Sequence, residues 1–202
     1  MSLARKQPAP HTIEDLLAIP EHERFHEIID GELVRKAMPS ARHGAAQTAT
    51  SQLLRPFNRR PGGKGGPGGW WFTSETEVEL SPNQIYRPDI CGWRREHLPE
   101  LPAETPVEVR PDWVCEILSP SNAGNDNAGN DMVKKLRAYH RHQVPHYWII
   151  DPIAETLTVH RFTEDGYLLV LAAERPERVR AEPFDAIELQ VSVLFGDDED
   201  VG

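Results

Sequence analysis

The sequence predicts an α+β domain, within the broad α/β class, that is built on one central strand covered on both faces. That strand lies between Pro111 and Pro120, where apolar strand formers such as Trp113 and Ile117 leave no polar face. An Asp30-Gly31 pair between two strand-like segments predicts an N-terminal hairpin. Further strand-like segments near the C-terminus predict antiparallel strands there. Segments with helical periodicity separate these groups of strands.

Caps, turns and breakers place the other elements along the chain. Thr12 and Asp15 form a capping pattern that opens a short helix, and Pro20 follows its end. Asp131 is the predicted N-cap of the last helix, directly after a segment, Asn-Ala-Gly-Asn-Asp, that is repeated over 122–131. We predict helices over residues 12–18, 41–58 and 132–143, and strands over 24–29, 32–36, 70–80, 84–93, 146–151, 156–163, 167–172 and 186–193.

Composition limits the class of protein. A chain of 202 residues with 39% hydrophobic residues is long enough for one domain with a real core. We predict a disordered N-terminus over 1–11, a single domain over 12–195 and an acidic tail over 196–202. No apolar run approaches the roughly 18 residues of a transmembrane helix, and the N-terminus has no secretion signal. We therefore expect a cytoplasmic protein with reduced thiols at Cys91 and Cys115.

Charge is distributed unevenly along the chain. The net charge of −10 argues against non-specific binding to nucleic acid. However, residues 33–74 contain no Asp or Glu and carry seven Lys or Arg residues, and residues 132–150 form a second acid-free, basic segment. These segments can bind a polyanion, or they can be ordinary solvated faces, and charge alone does not decide between the two.

Glu116 interrupts the apolar central strand, and a buried carboxylate needs a partner or a metal. Asp112 lies on the same face but about 13 Å away along the strand, too far to share a Mg²⁺ ion whose ligands lie at about 2.1 Å. Asp89 is on a separate strand and can face Glu116 at about 5 Å if the two strands pair. We therefore predict Asp89 and Glu116 as the paired carboxylates, with a plain buried salt bridge as the alternative.

A cation is expected from the helix that follows. At 100° per residue, Lys135 lies at the margin of the apolar side of that helix, whereas Lys134 points away and should be solvated. Two carboxylates for a divalent metal and one lysine suit phosphodiester hydrolysis, since the metal activates water and the ammonium stabilises charged oxygen. The alternative is that Lys135 only pairs with Glu116 in the core.

Six motifs, in order, carry a specific resemblance to a known family. They are Phe25 to Leu33 (FHEIIDGEL), His43-Gly44, Arg87 to Ile90 (RPDI), Cys115 to Ser121 (CEILSPS), Lys135 to Tyr139 (KLRAY) and Val144 to Pro152 (VPHYWIIDP). As a set they resemble the Uma-type family of restriction endonucleases, which belongs to the PD-(D/E)XK nuclease superfamily. The resemblance covers about residues 12 to 195.

The resemblance implies a restriction-endonuclease-like mixed sheet flanked by helices, dependence on Mg²⁺ or Mn²⁺, cleavage of DNA, and assembly into a homodimer or a higher homo-oligomer. Asp89 takes the place of the acid in the superfamily's Pro-Asp motif, and Glu116 takes that of the second acid. The expected lysine is replaced by Leu118. Lys135 on the following helix would then supply the cation, across the repeated segment.

Two further residues are candidates for accessory roles. Glu27 can be a third carboxylate of the site, although carboxylates in hairpins are usually exposed, and His43 can contact phosphate or assist proton transfer. The rival to a metal-dependent endodeoxyribonuclease is an inert nucleic-acid-binding or assembly module that keeps the fold. The charge of −10 and the absent lysine favour that rival, and the retained residue types favour the enzyme. A small phosphorylated substrate is a third alternative, for which the sequence has no binding motif.

Overall fold

The computed structural model describes residues 9–62, 64–119 and 126–198, with the backbone alone for 126–131. Its helices are α1 (Ile13–Leu17), α2 (Ala41–Leu53) and α3 (Asp126–Arg141), with short 3-10 helices at Glu21–Glu23 and Val191–Phe195. Its strands are β1 (His26–Ile29), β2 (Glu32–Arg35), β3 (Trp70–Ser74), β4 (Val78–Ser81), β5 (Gln84–Tyr86), β6 (Ile90–Arg94), β7 (Trp113–Ile117), β8 (His146–Asp151), β9 (Thr156–Thr163), β10 (Gly166–Glu174), β11 (Arg178–Val179) and β12 (Leu189–Gln190).

A six-stranded mixed sheet forms the centre of the molecule, in the order β10-β9-β8-β7-β6-β3. β7 pairs antiparallel with β6 and parallel with β8, and α3 makes the crossover between the two parallel strands. A second sheet has the order β2-β1-β5-β4. The predicted mixed sheet with flanking helices, the N-terminal hairpin and the C-terminal antiparallel strands is confirmed.

β7 is buried along its whole length, as the sequence predicts. Alternate residues pack into two different cores. Cys115 packs on the side of α2 and the C-terminal segment, and Val114 on the side of α3 and the second sheet. Cys91 lies in the second of these cores and Cys115 in the first, and both thiols are free.

The N-terminal hairpin has the predicted two-residue turn. Asp30 and Gly31 both have positive φ angles, +51° and +78°, as the right-handed twist of the strands requires. Ile29 pairs with Glu32 directly across the turn. A side chain at Gly31 would place its Cβ 2.6 Å from the Cβ of Pro10, so the turn is also closed against the segment before α1.

Two predicted helix ends are wrong. α2 ends at Leu53 rather than near residue 58, because Pro56 has no amide hydrogen and disfavours helical geometry at the residue before it. α3 begins at Asp126, so the second copy of the repeated segment, 127–131, is helical and Asp131 is not the N-cap. Residues 120–125 lie outside the described residues.

Two predicted long strands are each divided between the two sheets. Residues 70–80 form β3 and β4, separated where Glu75 adopts a left-handed φ of +54°. Residues 84–93 form β5 and β6, separated by the Arg87-Pro-Asp89 segment, in which Pro88 cannot donate to a ladder. Both breaks occur at the boundary between the sheets and turn Glu75 and Asp89 toward the same region.

The C-terminal part differs in one element. The predicted strand over 186–193 is a two-residue strand, β12, followed by a 3-10 helix that buries Val191 and Leu194. The predicted disordered N-terminus and acidic tail lie largely outside the described residues. In the described part of the chain, no helix has the length and apolar content needed to cross a membrane.

Candidate active site

Strand register brings Asp89 and Glu116 together. β6 and β7 are antiparallel with Ile90 opposite Cys115, and the same register extended by one pair sets Asp89 opposite Glu116. The main-chain amide of Ile117 donates to Asp89 Oδ2 at 2.6 Å, which fixes this carboxylate against the end of β7. Both side chains are almost fully buried, at 1% and 4% exposure.

Asp89 is held as a carboxylate by two cationic or polar neighbours. Its Oδ1 accepts a hydrogen bond from Lys36 Nζ at 2.7 Å and lies 3.3 Å from His43 Nε2. Burial acts to raise the pKa of Asp89, but the contact with His43 and the charge of Lys36 outweigh it and hold the pKa well below its usual value. Asp89 is therefore ionised at neutral pH and suited to bind a cation.

Glu116 is in the opposite electrostatic situation. Lys135 Nζ lies 3.2 Å from its Oε1, and the Tyr139 hydroxyl donates to the same oxygen at 2.7 Å. Burial nevertheless raises the pKa of Glu116 to about 7; the charge of Lys135 acts against this rise and the charge of Asp89 adds to it. Glu116 is thus close to half protonated at neutral pH.

Glu27 belongs to the same cluster, although its hairpin position favours exposure. It is 1% exposed, and its Oε1 lies 3.0 Å from Lys135 Nζ and accepts the main-chain amide of Arg87 at 2.8 Å. Lys135 therefore lies between a carboxylate of the second sheet and a carboxylate of the central sheet. Lys135 thus contacts Glu116, as the sequence predicts.

Sequence reasoning missed Lys36 and Glu75. Lys36 follows β2, and its Nζ contacts both Asp89 and Glu75 Oε2, the latter at 2.8 Å. Burial acts to lower the pKa of Lys36, but the charge of Asp89 outweighs it and raises the pKa. Burial also raises the pKa of Glu75, against the charge of Lys36. The basic segment contains Lys36, but no spacing rule connects it to two residues that lie in different elements.

His43 can offer a ring nitrogen as a ligand. It is the third residue of α2, 4% exposed, and neither ring nitrogen makes an aligned hydrogen bond to a described residue. Ligand atoms of His43, Glu75 and Asp89 all lie within 4.8 Å of one another. Two donor sets therefore share Asp89: this one, and the predicted pair with Glu116.

Asp112 and Lys134 stand outside the cluster. Asp112 is at the other end of β7, where it accepts the Arg94 amide at 2.7 Å and contacts His97 Nδ1 at 2.7 Å. Lys134 has a side chain that is 42% exposed and lies 3.4 Å from Glu32. Strand spacing thus keeps Asp112 away from Glu116. Helix phase leaves Lys134 partly exposed, whereas Lys135 is buried beside Glu116.

An open cleft of about 600 Å³ reaches the cluster from the side of α2. Two of its lining residues touch the site. Gln47 donates its side-chain amide to the main-chain carbonyl of Asp89 at 2.7 Å, and Glu75 shares Lys36 with the Asp89 carboxylate. The carboxylates are buried, but the space beside them is open to solvent.

Comparisons with known proteins agree with this fold. A family model described as "Uma2: Putative restriction endonuclease" matches residues 13–193. A solved structure described as a "putative nuclease belonging to DUF820", from Anabaena variabilis, superposes with a TM-score of 0.67. It is 23% identical to this chain, and the match covers 92% of this chain and 98% of that one. A search of the curated proteins found no match.

Proposed function

The chain belongs to the Uma2 family, whose model is described as "Putative restriction endonuclease", and we propose that it is a Mg²⁺- or Mn²⁺-dependent DNA endonuclease. In this proposal Asp89 and Glu116 are the metal ligands and Lys135 is the catalytic cation. Glu27 and His43 have accessory roles. A homodimer or a higher homo-oligomer, and a cytoplasmic location, remain predictions from the resemblance and the composition.

One observation carries the proposal: carboxylates and lysines converge from separate elements on one buried position. Lys135 lies within 3.2 Å of both Glu27 and Glu116, and Lys36 within 2.8 Å of both Asp89 and Glu75. Four carboxylates thus face two ammonium groups, with Arg87 3.4 Å from Glu75 as the third cation nearby. An excess of buried negative charge is costly unless a metal or protons balance it.

The residues present fit a divalent metal. Carboxylate oxygen is the donor that Mg²⁺ and Mn²⁺ prefer, and it is supplied by Asp89, directly before β6, and by Glu116 in the paired strand β7. His43 and Glu75 offer a further nitrogen and oxygen next to Asp89. We favour Asp89 and Glu116 as the ligand pair because both are buried, whereas the side chain of Glu75 is 32% exposed and contacts both Lys36 and Arg87.

The side chains around the pair have separable tasks. A bound divalent cation supplies Lewis-acid charge and a more acidic water. Ile117 orients Asp89 through its amide, and Tyr139 orients Glu116 through its hydroxyl. Lys135 is placed to stabilise the negative charge that develops on a phosphate oxygen in the transition state. Glu116 would bind a metal as the carboxylate, so it would release its proton when the metal binds near neutral pH.

Plasmid cleavage tests the proposal. Wild-type protein with Mg²⁺ or Mn²⁺ should nick or linearise plasmid, and Asp89→Ala and Glu116→Ala should lower the rate by roughly 100-fold or more, the scale of losing one group that stabilises the transition state. EDTA should stop the reaction. Equal cleavage by wild type and both variants would identify a contaminant and sink the assignment.

Two observations favour the rival, an inert nucleic-acid-binding or assembly module. Lys135 is already engaged by two carboxylates, as in a structural salt bridge, and Leu118 stands where the superfamily has its lysine. Under the rival, wild-type protein cleaves neither plasmid nor linear DNA with either metal. The Ala variants then differ from wild type in stability alone, which thermal unfolding measures.

A further inference from the structure

We propose that the cleft along α2 binds the phosphodiester backbone of the nucleic-acid substrate and leads it to Asp89. This inference rests on the proposed function, because it names the surface that presents the substrate to the same site. The cleft has a volume of about 600 Å³ and is open to solvent. This volume is large enough to hold a segment of one strand rather than a single small ion.

The lining of the cleft matches phosphate rather than bases. Every described lining residue is polar, and none is aromatic. The side chains that offer donors include Gln47, Ser51, Arg55, Asn58 and Arg59. Sequence-tolerant binding of bases uses aromatic stacking platforms, whereas backbone binding uses arginines, amides and hydroxyls of this kind. The cleft is therefore suited to hold the strand without reading its sequence.

The local charge favours the binding of a polyanion in this cleft, although the whole chain is acidic. The cleft lies on the 33–74 segment, which has no Asp or Glu although the net charge of the chain is −10. Arg55 is exposed, while Arg59 is partly buried and donates to the carbonyl of Lys64 at 3.0 Å. One carboxylate lines the cleft, that of Glu75, and two cations accompany it: Lys36 at 2.8 Å and Arg87 at 3.4 Å.

The cleft is continuous with the site at one end. Gln47 lines it and donates to the main-chain carbonyl of Asp89 at 2.7 Å. Arg55 and Arg59 lie further along the same chain segment, toward its Gly-rich end. A strand held by Arg55 would therefore run along α2 and pass Gln47 before it reaches Asp89.

A second basic cleft provides the contrast and the control. It has a volume of about 520 Å³ and lies beside α3, with Lys134, Arg137 and Arg141 among its lining residues. Lys134 and Arg141 are paired there with hairpin carboxylates, Glu32 at 3.4 Å and Asp30 at 2.9 Å. This cleft shares no lining residue with the carboxylate cluster. Arg137, in α3, and Arg55, just after α2, are both exposed. Arg137→Glu therefore makes the same change of charge at an exposed arginine outside the proposed cleft.

The test measures binding without cleavage. Labelled duplex and single-stranded DNA are titrated with protein in EDTA at several salt concentrations, and the slope of log K against log salt is compared among variants. Arg55→Glu should weaken binding and lower the slope by about one, as expected for one lost phosphate contact, and Arg55→Ala should have a smaller effect in the same direction. Arg137→Glu should leave both quantities near their wild-type values.

The outcomes separate this inference from the proposed function. An Arg55→Glu variant that binds and cleaves like wild type overturns the proposed role of the cleft in binding DNA and leaves the nuclease assignment intact. Binding that weakens in Arg55→Glu, in a protein that never cleaves, supports the cleft and overturns the nuclease assignment. An equal loss of DNA-binding affinity in Arg137→Glu, or no DNA binding by wild type at low salt, overturns the proposed role of the cleft. Circular dichroism of each variant checks that the fold is retained.

Discussion

The two ends of β7 each carry a buried carboxylate, and the surroundings of the two carboxylates differ. Asp112, just before the strand, is 3% exposed and accepts the Arg94 amide, with the half-exposed His97 as its other partner. Glu116, near the other end, is 4% exposed and lies among further carboxylates, with Lys135 as its ion-pair partner. Burial is nearly equal at the two ends, but the local charge is not.

This difference distinguishes a carboxylate with a structural role from one that is suited to bind a cation. A carboxylate that accepts a neutral main-chain amide and a solvent-accessible partner has its hydrogen bonds satisfied at low cost. Burial is the main cause that raises the pKa of Glu116 to about 7; the charges of Asp89 and Glu27 add to this rise, and those of Lys135 and Lys36 act against it. Because burial is nearly equal at the two ends of β7, the neighbouring carboxylates distinguish the Glu116 end as the candidate site for a cation.

The largest effect on stability is expected at Lys135. Lys135→Met removes the ammonium between Glu27 and Glu116 and leaves two buried carboxylates without their partner. The free energy of unfolding should fall by about 3 to 5 kcal/mol, the usual cost of breaking a buried pair by removing one partner. Urea unfolding of the purified variant measures it.

Lys134→Met is the matched control for that change. Lys134 is the neighbouring residue, partly exposed, and its pair with Glu32 is worth about 1 kcal/mol or less after screening by solvent. Similar losses in the two variants would contradict the distinction between a buried site cation and a surface lysine.

The next effect is a dependence of stability on pH. The pKa of Glu116 is raised from its usual 4.5 to about 7 in the folded protein. The folded state then binds more protons than the unfolded state between these values. This contribution to stability is complete below the unfolded pKa and is lost as pH rises through the folded pKa, by about 3 kcal/mol at most.

Glu116→Gln should remove this dependence, because an amide does not titrate. The variant should therefore gain stability relative to wild type between about pH 5 and about pH 8, measured by urea unfolding at each pH. Asp112→Asn should lose stability and keep the wild-type trend with pH over that range. A wild-type trend retained in Glu116→Gln would show that another group is responsible.

A smaller effect is expected at Tyr139. Its hydroxyl donates to Glu116 Oε1 at 2.7 Å, so Tyr139→Phe removes one hydrogen bond and keeps the ring in the core. Cleavage should slow by about tenfold, which corresponds to about 1.4 kcal/mol, near the low end of the range for a hydrogen bond to a charged group. The plasmid assay measures the rate, and an unchanged rate would mean that Glu116 does not need this orientation.

The smallest effect is expected at the other end of β7. His97 contacts Asp112 at 2.7 Å, but its side chain is 52% exposed and solvent screens the pair. His97→Ala should change the free energy of unfolding by about 1 kcal/mol or less and leave cleavage unchanged. A large loss of cleavage in this variant would place chemistry at the Asp112 end and contradict the comparison.

Local patterns in the sequence were sufficient for much of the fold. The Asp30-Gly31 turn, the apolar run of β7 and the strand His146–Asp151 are each specified by neighbouring residues, and each was predicted correctly. The strand predicted over 70–80 was wrong because polar alternation continues through Glu75, and nothing in that alternation reveals its left-handed backbone. The strand predicted over 84–93 was wrong because it was continued through Pro88, which cannot donate to a ladder. The α2 end was wrong because its periodicity was followed through Pro56.

For the candidate site, the periodicity of helices and strands identified several residues, but the sequence does not reveal contacts between distant parts of the chain. Helix phase separated Lys135 from Lys134, and strand spacing separated Asp89 from Asp112, because each choice depends on geometry within one or two elements. Lys36 escaped prediction because its contacts with Asp89 and Glu75 join parts of the chain about 40 to 50 residues apart. The assignment of catalytic roles to these residues remains a prediction.

Calorimetric titration of Mn²⁺ into the metal-free protein tests the contrast between the two ends of β7 directly. Wild type and Asp112→Asn should bind the metal with similar affinity, because Asp112 contacts none of the clustered carboxylates. Glu116→Gln should bind it at least about tenfold more weakly, since one anionic ligand is lost. Equal binding by Glu116→Gln and wild type, or binding lost in Asp112→Asn, would contradict the account.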